Sequence, residues 1–312
     1  MKIVVLDGYS LNPGDLSWDK IADYGQLEVY DRSEKEDVKE LIKEADIVFT
    51  NKTPIGDKEL EDSKVKFISV LATGYNIVDL EATRKRSIPV SNIPVYGTKT
   101  VAQYATAMML ELAHQIGRHS ESVHQGQWVK NPDFTYQISP QIELAGKTLG
   151  IYGMGSIGQA FAKIARALGM EVIYNSRSKK ELDYEYVDLE ELFKRSDFLS
   201  LHSPLTPETQ GIVSLKMLEL MKPTAMLINT SRGPLIVEED LVYALENDLI
   251  AGAAIDVVDV EPMKKDSPYL GVKNLIITPH IAWSTKEARQ RIMDTSLENL
   301  QAFLKGEPIN EV

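Results

Sequence analysis

The sequence predicts an α/β fold with two parallel sheets, on three observations. Short β-branched runs alternate with charged, helix-length stretches from the first residues onward. That alternation is interrupted after Pro94 and resumes at Lys147 as a second, better marked series. A last helical stretch, 286–305, follows the end of the second series and is expected to pack back on the first. At 312 residues the chain has room for about two domains of ~150 residues each.

In order, the first series reads as strands at 3–6, 46–49 and 67–71, with helices at 34–44 and 79–86. Pro89 and Pro94 punctuate the chain, and a long helix is expected at 100–118, where Val101, Tyr104, Ala105, Met108, Met109 and Leu112 recur at helical spacing. A connection rich in Gly, Pro and aromatic residues (Gly126, Trp128, Pro132, Phe134, Pro140) leads to the second series. Its strands are read at 148–152, 171–174, 198–201, 225–229, 251–256 and 275–278, which suggests a doubly wound sheet. The expected domains are therefore 1–98 plus 283–312, discontinuous, and 99–282 inserted between them.

Composition narrows the chemistry. The net charge of −12 repels phosphate backbones and anionic lipid, so neither nucleic acid nor a membrane surface is an expected partner. With no cysteine there is no disulfide, no thiolate nucleophile and no Cys-ligated metal, which fits a reducing compartment and a cytoplasmic location. The apolar run at 3–6 is strand-length, and the 101–112 stretch is too short and too interrupted to span a bilayer. His114, His119 and His124 are spaced by five and do not share a helix face, so no metal site is expected.

The strongest motif is Gly153-Met154-Gly155-Ser156-Ile157-Gly158, a G-x-G-x-x-G between a strand and a helix expected at 159–168. In that context Gly153 permits a tight turn and Gly155 a close approach to a pyrophosphate. Gly158 lets helix and strand pack closely, and the N–H groups near Ser156 and Ile157 face the anion. The alternative is a glycine-rich structural turn. The acid expected about 20 residues on for NAD is missing. The chain offers Asn175-Ser176-Arg177-Ser178-Lys179-Lys180 there, donors and cations suited to a 2′-phosphate. NADP(H) is therefore favoured and NAD(H) stays possible; a merely solvated basic turn is the alternative.

Arg232, Glu261 and His280 each lie just beyond the carboxyl end of an expected strand, the edge where open α/β sheets bind ligands. Singly they read as a surface arginine, a loop carboxylate and a packed histidine. Together they supply what carbonyl reduction needs: a cation for a carboxylate and a carbonyl oxygen, a proton donor, and a carboxylate to orient that donor.

On these residues the chain resembles the D-isomer-specific 2-hydroxyacid dehydrogenases over nearly its whole length. The stretch 221–237 looks like the family's segment bearing the catalytic arginine, Arg232; the family's acid maps onto Glu261 and its acid/base histidine onto His280. The stretch 72–79 is similar to its substrate loop, so Thr73, Gly74 and Tyr75 would join Arg232 and His280 in binding substrate. His202, Pro204, Thr209, Thr230 and Asp256 match cofactor-lining positions, Asp256 near the nicotinamide carboxamide.

The stretches 96–103 and 134–147 look most like the glycerate dehydrogenase, or hydroxypyruvate reductase, subgroup. The resemblance implies a Rossmann-type dinucleotide-binding domain inserted in a smaller, flavodoxin-like substrate domain, and a homodimer built around the helix after Lys99. It also implies hydride transfer between a nicotinamide and C2 of a small 2-oxo or D-2-hydroxy acid, with hydroxypyruvate and glyoxylate favoured over pyruvate, branched or phosphorylated acids. The pocket expected to decide between them contains Lys52, Thr53, Tyr75 and Trp283. A nicotinamide-sensing binding module is the rival of another class.

Overall fold

The computed structural model describes residues 1–312, which divide into two units: Met1–Gly97 with Trp283–Val312, and Thr98–Ala282. The first holds five parallel strands, β1 (Lys2–Val5), β2 (Gln26–Val29), β3 (Ile47–Thr50), β4 (Phe67–Val70) and β5 (Val90–Ser91), in the order β2-β1-β3-β4-β5. Alternate residues of one strand feed opposite cores, Val4 to one face and Ile3 and Val5 to the other, as a sheet covered on both sides requires. Two of these strands escape the sequence pattern. β2 is a half-exposed edge strand carrying Gln26 and Glu28, and β5 is only two residues long.

The carboxyl-terminal helix Lys286–Leu304 belongs to this unit. Phe303 stacks on Phe67 at 4.6 Å, and Arg289, almost buried, forms a two-pronged pair with Asp15 at 2.7 and 2.8 Å. Its guanidinium also donates to the Leu11 and Ser284 carbonyls. That pairing holds the Asp15 carboxyl below its ordinary value. The residues beyond the helix close the edge of the sheet, with Val312 N–H donating to Val90 O at 3.0 Å and Asn92 N–H to Asn310 O at 3.0 Å.

The second unit carries β6 (Thr148–Tyr152), β7 (Glu171–Asn175), β8 (Glu185–Tyr186), β9 (Phe198–Leu201), β10 (Met226–Asn229), β11 (Gly252–Ile255) and β12 (Leu275–Ile277). All pair in parallel, in the order β12-β11-β10-β9-β6-β7-β8. The sheet has seven strands where the sequence pattern suggests six, because β8 is a two-residue edge pairing too short for periodicity to register. Its strands are buried on both faces, Leu149 and Ile151 on one and Leu199 and Leu201 on the other. The order reverses between β6 and β9, and in such a sheet ligands bind beyond the strands' carboxyl ends at that point.

The long helix expected at 100–118 is two helices, Thr98–His114 and Ile116–His124. Gln115 between them takes a left-handed conformation (φ 47°), and the Glu111 carboxylate accepts the Gly117 N–H. The histidines of this stretch have other work. His119 Nδ1 donates to Gln115 O at 2.9 Å while its Nε2 accepts the Ile138 N–H at 3.3 Å, and His114 Nδ1 lies 3.3 Å from Gln141 Oε1. No group of three His, Asp or Glu side chains is placed to hold a metal ion. No helix is long and apolar enough to cross a membrane.

Candidate active site

The carboxyl ends of β10, β11 and β12 carry Arg232, Glu261 and His280 respectively on the connections that follow them. Asn229, fully buried at the end of β10, shapes the first connection: its amide donates to Arg232 O at 2.8 Å and its carbonyl oxygen accepts the Ser231 N–H at 3.0 Å. Ser231 Oγ donates to Leu201 O at 2.7 Å, tying the turn to β9. Arg232 is exposed, its Nη1 donating to Ser231 O at 2.7 Å, and no carboxylate of the chain is paired with it. A side chain at Gly233 would put its Cβ 2.0 Å from the Val258 carbonyl carbon. Only glycine lets the arginine turn lie against the segment that leads to Glu261.

Glu261 and His280 meet directly, with His280 Nδ1 2.6 Å from Glu261 Oε2. An ionised carboxylate can only accept, so Nδ1 carries the proton of this contact. The other Glu261 oxygen accepts the Val258 N–H at 3.3 Å. His280 sits at φ 53°, a left-handed conformation that costs a non-glycine residue about 1 kcal/mol or more. Behind it, Asp256 is 1% exposed, and its carboxylate accepts from Thr278 Oγ1, the Ile281 N–H and the Ala282 N–H at 2.5, 2.9 and 2.8 Å.

The glycine-rich turn lies after β6. Gly153 (φ 100°) has no room for a Cβ, which would meet the His202 carbonyl at 2.6 Å, and a Cβ on Gly158 would meet Gly153 O at 2.4 Å. Gly155 differs: nothing lies within 4 Å of where its Cβ would be. It caps the helix Ser156–Ala167 without a side-chain bond, leaving the first N–H groups, at Ser156 and Ile157, for an outside acceptor. Nearby, Thr230 is 9% exposed and its hydroxyl has no partner in the chain. An uncapped helix start, an open glycine and an orphaned hydroxyl along one sheet edge fit a dinucleotide.

The other residues expected to line the cofactor are placed unevenly. Asn175 donates its side-chain amide to Val187 O at 2.8 Å and Ser176 Oγ donates to Ser178 O at 2.8 Å, so both brace the turn. The buried Tyr174 hydroxyl accepts the Lys180 N–H and donates to Lys180 O, at 2.9 and 3.0 Å. Arg177 stands exposed at the apex with no carboxylate paired to it. Thr209 Oγ1 is engaged within its own loop by Thr206 N–H and Pro204 O, both at 2.8 Å. The His202 ring turns inward, edge-on to Phe161 with its Nε2 2.9 Å from Ser200 Oγ. Burial pushes that imidazole down to about 4, so it is neutral at ordinary pH, and it is the His202 backbone that faces Gly153.

In the other unit, the loop after β4 is pinned at Thr73, whose hydroxyl donates to Ile93 O at 2.7 Å while Asn92 donates to Thr73 O at 2.8 Å. Gly74 and Tyr75 follow, Tyr75 exposed. The Asp7 carboxylate accepts the successive N–H groups of Asn51, Lys52 and Thr53 at 2.8, 2.5 and 3.0 Å, fixing the loop after β3.

A family model described as D-isomer specific 2-hydroxyacid dehydrogenase, NAD binding domain, matches residues 106–282. The chain belongs to that family. It is similar to the hydroxypyruvate reductase of Blautia hydrogenotrophica, at 51% identity over 100% of this chain and 99% of that one. It is similar to the glycerate dehydrogenase of Methylorubrum extorquens at 38% identity, covering 100% and 98%. Among solved structures, the NADPH-dependent glyoxylate/hydroxypyruvate reductase of Sinorhizobium meliloti, in complex with NADP and malonate, superposes with a TM-score of 0.84 at 27% identity, covering 100% and 96%. This dehydrogenase is thus an α/β enzyme of Rossmann type. Sequence reasoning missed two residues that shape its site, Asn229 and Thr278. An Asn closing a strand just before Thr230-Ser231-Arg232 is a turn signal that could have found the first; Thr278 has no local signal, because its partner is 22 residues away.

Proposed function

We propose that this dehydrogenase reduces hydroxypyruvate to D-glycerate and glyoxylate to glycolate, with NADPH preferred to NADH. The observation that carries the chemistry is the 2.6 Å contact of His280 Nδ1 with Glu261 Oε2, which engages Nδ1 and leaves Nε2 to exchange a proton with substrate. When bound, the reduced nicotinamide supplies hydride to C2 of the 2-oxo acid. His280 Nε2–H gives its proton to the carbonyl oxygen, and Glu261 balances the imidazolium before transfer and orients the ring. Arg232, with no carboxylate of its own, binds the substrate carboxylate and polarises the carbonyl. In the reverse direction the neutral His280 ring takes the hydroxyl proton at Nε2.

The Ser156 and Ile157 N–H groups, with Gly153, Gly155 and Gly158, would hold the pyrophosphate, and Thr230, Pro204, Thr209 and the His202 backbone would line the cofactor. Arg177, on a turn braced by Asn175, Ser176 and Tyr174, would meet a 2′-phosphate, which supports NADPH. The family resemblance alone supports Thr73, Gly74 and Tyr75 as substrate-binding residues. A cytoplasmic homodimer is part of the same reading. It is supported by apolar side chains left bare after the Ile116–His124 helix, Val129 at 90% and Phe134 at 89% exposure.

The test is initial rates for NADPH and NADH against hydroxypyruvate, glyoxylate, pyruvate and a branched 2-oxo acid, compared by kcat/KM. NADPH with hydroxypyruvate or glyoxylate should lead. Tight nicotinamide binding with no turnover of any acid would overturn the reading in favour of a sensing module.

A further inference from the structure

The glycine turn carries the chain from β6 onto one face of its sheet, where the helix Ser156–Ala167 packs through Phe161, Ala162 and Ala165. Leu149 and Ile151 look toward that helix. Tyr152, one step further along β6, therefore stands on the opposite face, half-buried against the core that holds Val187, Leu192 and Leu201. Its neighbours in register are Asn175, which ends β7, and Leu201, which ends β9, and its carbonyl accepts the His202 N–H at 2.7 Å. Tyr152 thus marks the place where the strand order reverses.

Nothing in the fold uses the oxygen of this side chain. The Tyr174 hydroxyl, one strand away, is held by both backbone groups of Lys180, whereas the Tyr152 hydroxyl has no partner in the chain and burial pushes its pKa upward. An apolar side chain would fill the same space without drawing a hydroxyl away from water. We propose that Tyr152 contacts the adenosine half of the dinucleotide, its hydroxyl bonding the edge of the base. The proposal rests on the glycine turn being a dinucleotide site. With the pyrophosphate at the Ser156 and Ile157 N–H groups and the ribose beside the turn 175–180, the adenosine lies across the carboxyl ends of β6 and β7. The helix Ser156–Ala167 fills one face of that edge, so the base goes to the other, which carries Tyr152, Asn175 and Val187. Asn175 has given its amide N–H to Val187 O. A phenol suits adenine in either sense: its O–H donates to a ring nitrogen or its oxygen accepts from the exocyclic amine, and its ring offers apolar surface.

The experiment measures dissociation constants on the full chain and on its Tyr152→Phe and Tyr152→Ile variants, by calorimetry and fluorescence titration. The ligands are NADPH, adenosine 2′,5′-bisphosphate, AMP and reduced nicotinamide mononucleotide. Tyr152→Phe keeps the ring and removes only the oxygen, so its fold should be that of wild type. It should weaken NADPH, the bisphosphate and AMP by a common factor of about 3- to 10-fold, as loss of one neutral hydrogen bond does, and leave the mononucleotide, which has no adenosine, within about twofold. Tyr152→Ile, which lacks the aromatic surface as well, should weaken the three adenosine ligands further.

Unchanged affinity for the adenosine ligands in Tyr152→Phe would overturn the proposal. Equal weakening of the mononucleotide would overturn it too, by showing an effect on the whole turn. An error in the NADPH preference would show separately, as wild-type binding of AMP no weaker than that of the bisphosphate, and the AMP comparison would still decide the role of Tyr152. A wild-type chain that binds none of the adenosine ligands would sink the dinucleotide reading and the proposal together.

Discussion

Two stretches at the same edge of one sheet are built on opposite plans. The corner formed by Asp256, Glu261 and His280 is over-determined: the buried carboxylate is held by three donors, the imidazole by a 2.6 Å contact, and the backbone by a glycine-tight crossing at Val258. The turn 175–180 is braced from behind by Asn175 and Tyr174, yet its cation, Arg177, stands in solvent. The difference follows from the physics each must use. Proton transfer succeeds only within a few tenths of an ångström, whereas recognition of a phosphate charge tolerates a mobile guanidinium. On the proposed function, rigid structure is concentrated where bonds are made and broken, and adaptable structure where a charge is read.

Substitutions should separate the two plans by size of effect. The largest belongs to the corner: His280→Ala should lower kcat for 2-oxo acid reduction by about 1,000-fold, within the usual range for a lost acid–base group, and leave the NADPH dissociation constant nearly unchanged. Stopped-flow and fluorescence titration together check this, and a residual kcat near wild type would remove His280 from the chemistry. Glu261→Gln keeps a hydrogen-bond partner and loses the charge, so its kcat loss should be smaller, about 10- to 100-fold. A loss equal to that of His280→Ala would mean that the pair acts only as a unit.

At the turn, Arg177→Ala should weaken NADPH by about tenfold or more, the worth of one charge-assisted contact, and leave NADH and kcat almost untouched. Equal weakening of both dinucleotides would reduce the turn to a solvated loop. The smallest effect lies behind both regions. His202 is neutral in the folded chain down to about 4, while an unfolded histidine takes up a proton below about 6.5. Stability should therefore fall as pH drops between those values, and His202→Gln should flatten that part of the Tm curve by a few degrees. A variant with an unchanged slope would show that the ring is solvated.

Much of this was legible in the sequence because the signals are local. Gly153 to Gly158 sit within one turn, and Arg232, Glu261 and His280 each follow a strand that its own composition announces. What was missed depends on distant partners or on elements too short to carry a period. β5 and β8 are two residues each, and β2 shows half-polar edge chemistry. The break at Gln115 turns on a carboxylate one helical turn back. Nothing near Asp256 in the chain announces that its oxygens accept hydrogen bonds from residues 278 to 282.

The return of the last helix has a consequence for the order in which the molecule can be made. The unit Thr98–Ala282 is one uninterrupted stretch, so all its sheet partners are synthesised before the final residues. The amino-terminal unit, begun first, must wait. Until Arg289 reaches Asp15, Phe303 reaches Phe67 and Val312 reaches Val90, its sheet has an apolar face uncovered and an edge open. The part of the chain that is translated first is therefore the part that is finished last, and during that interval it is the segment most in need of shielding from other nascent chains.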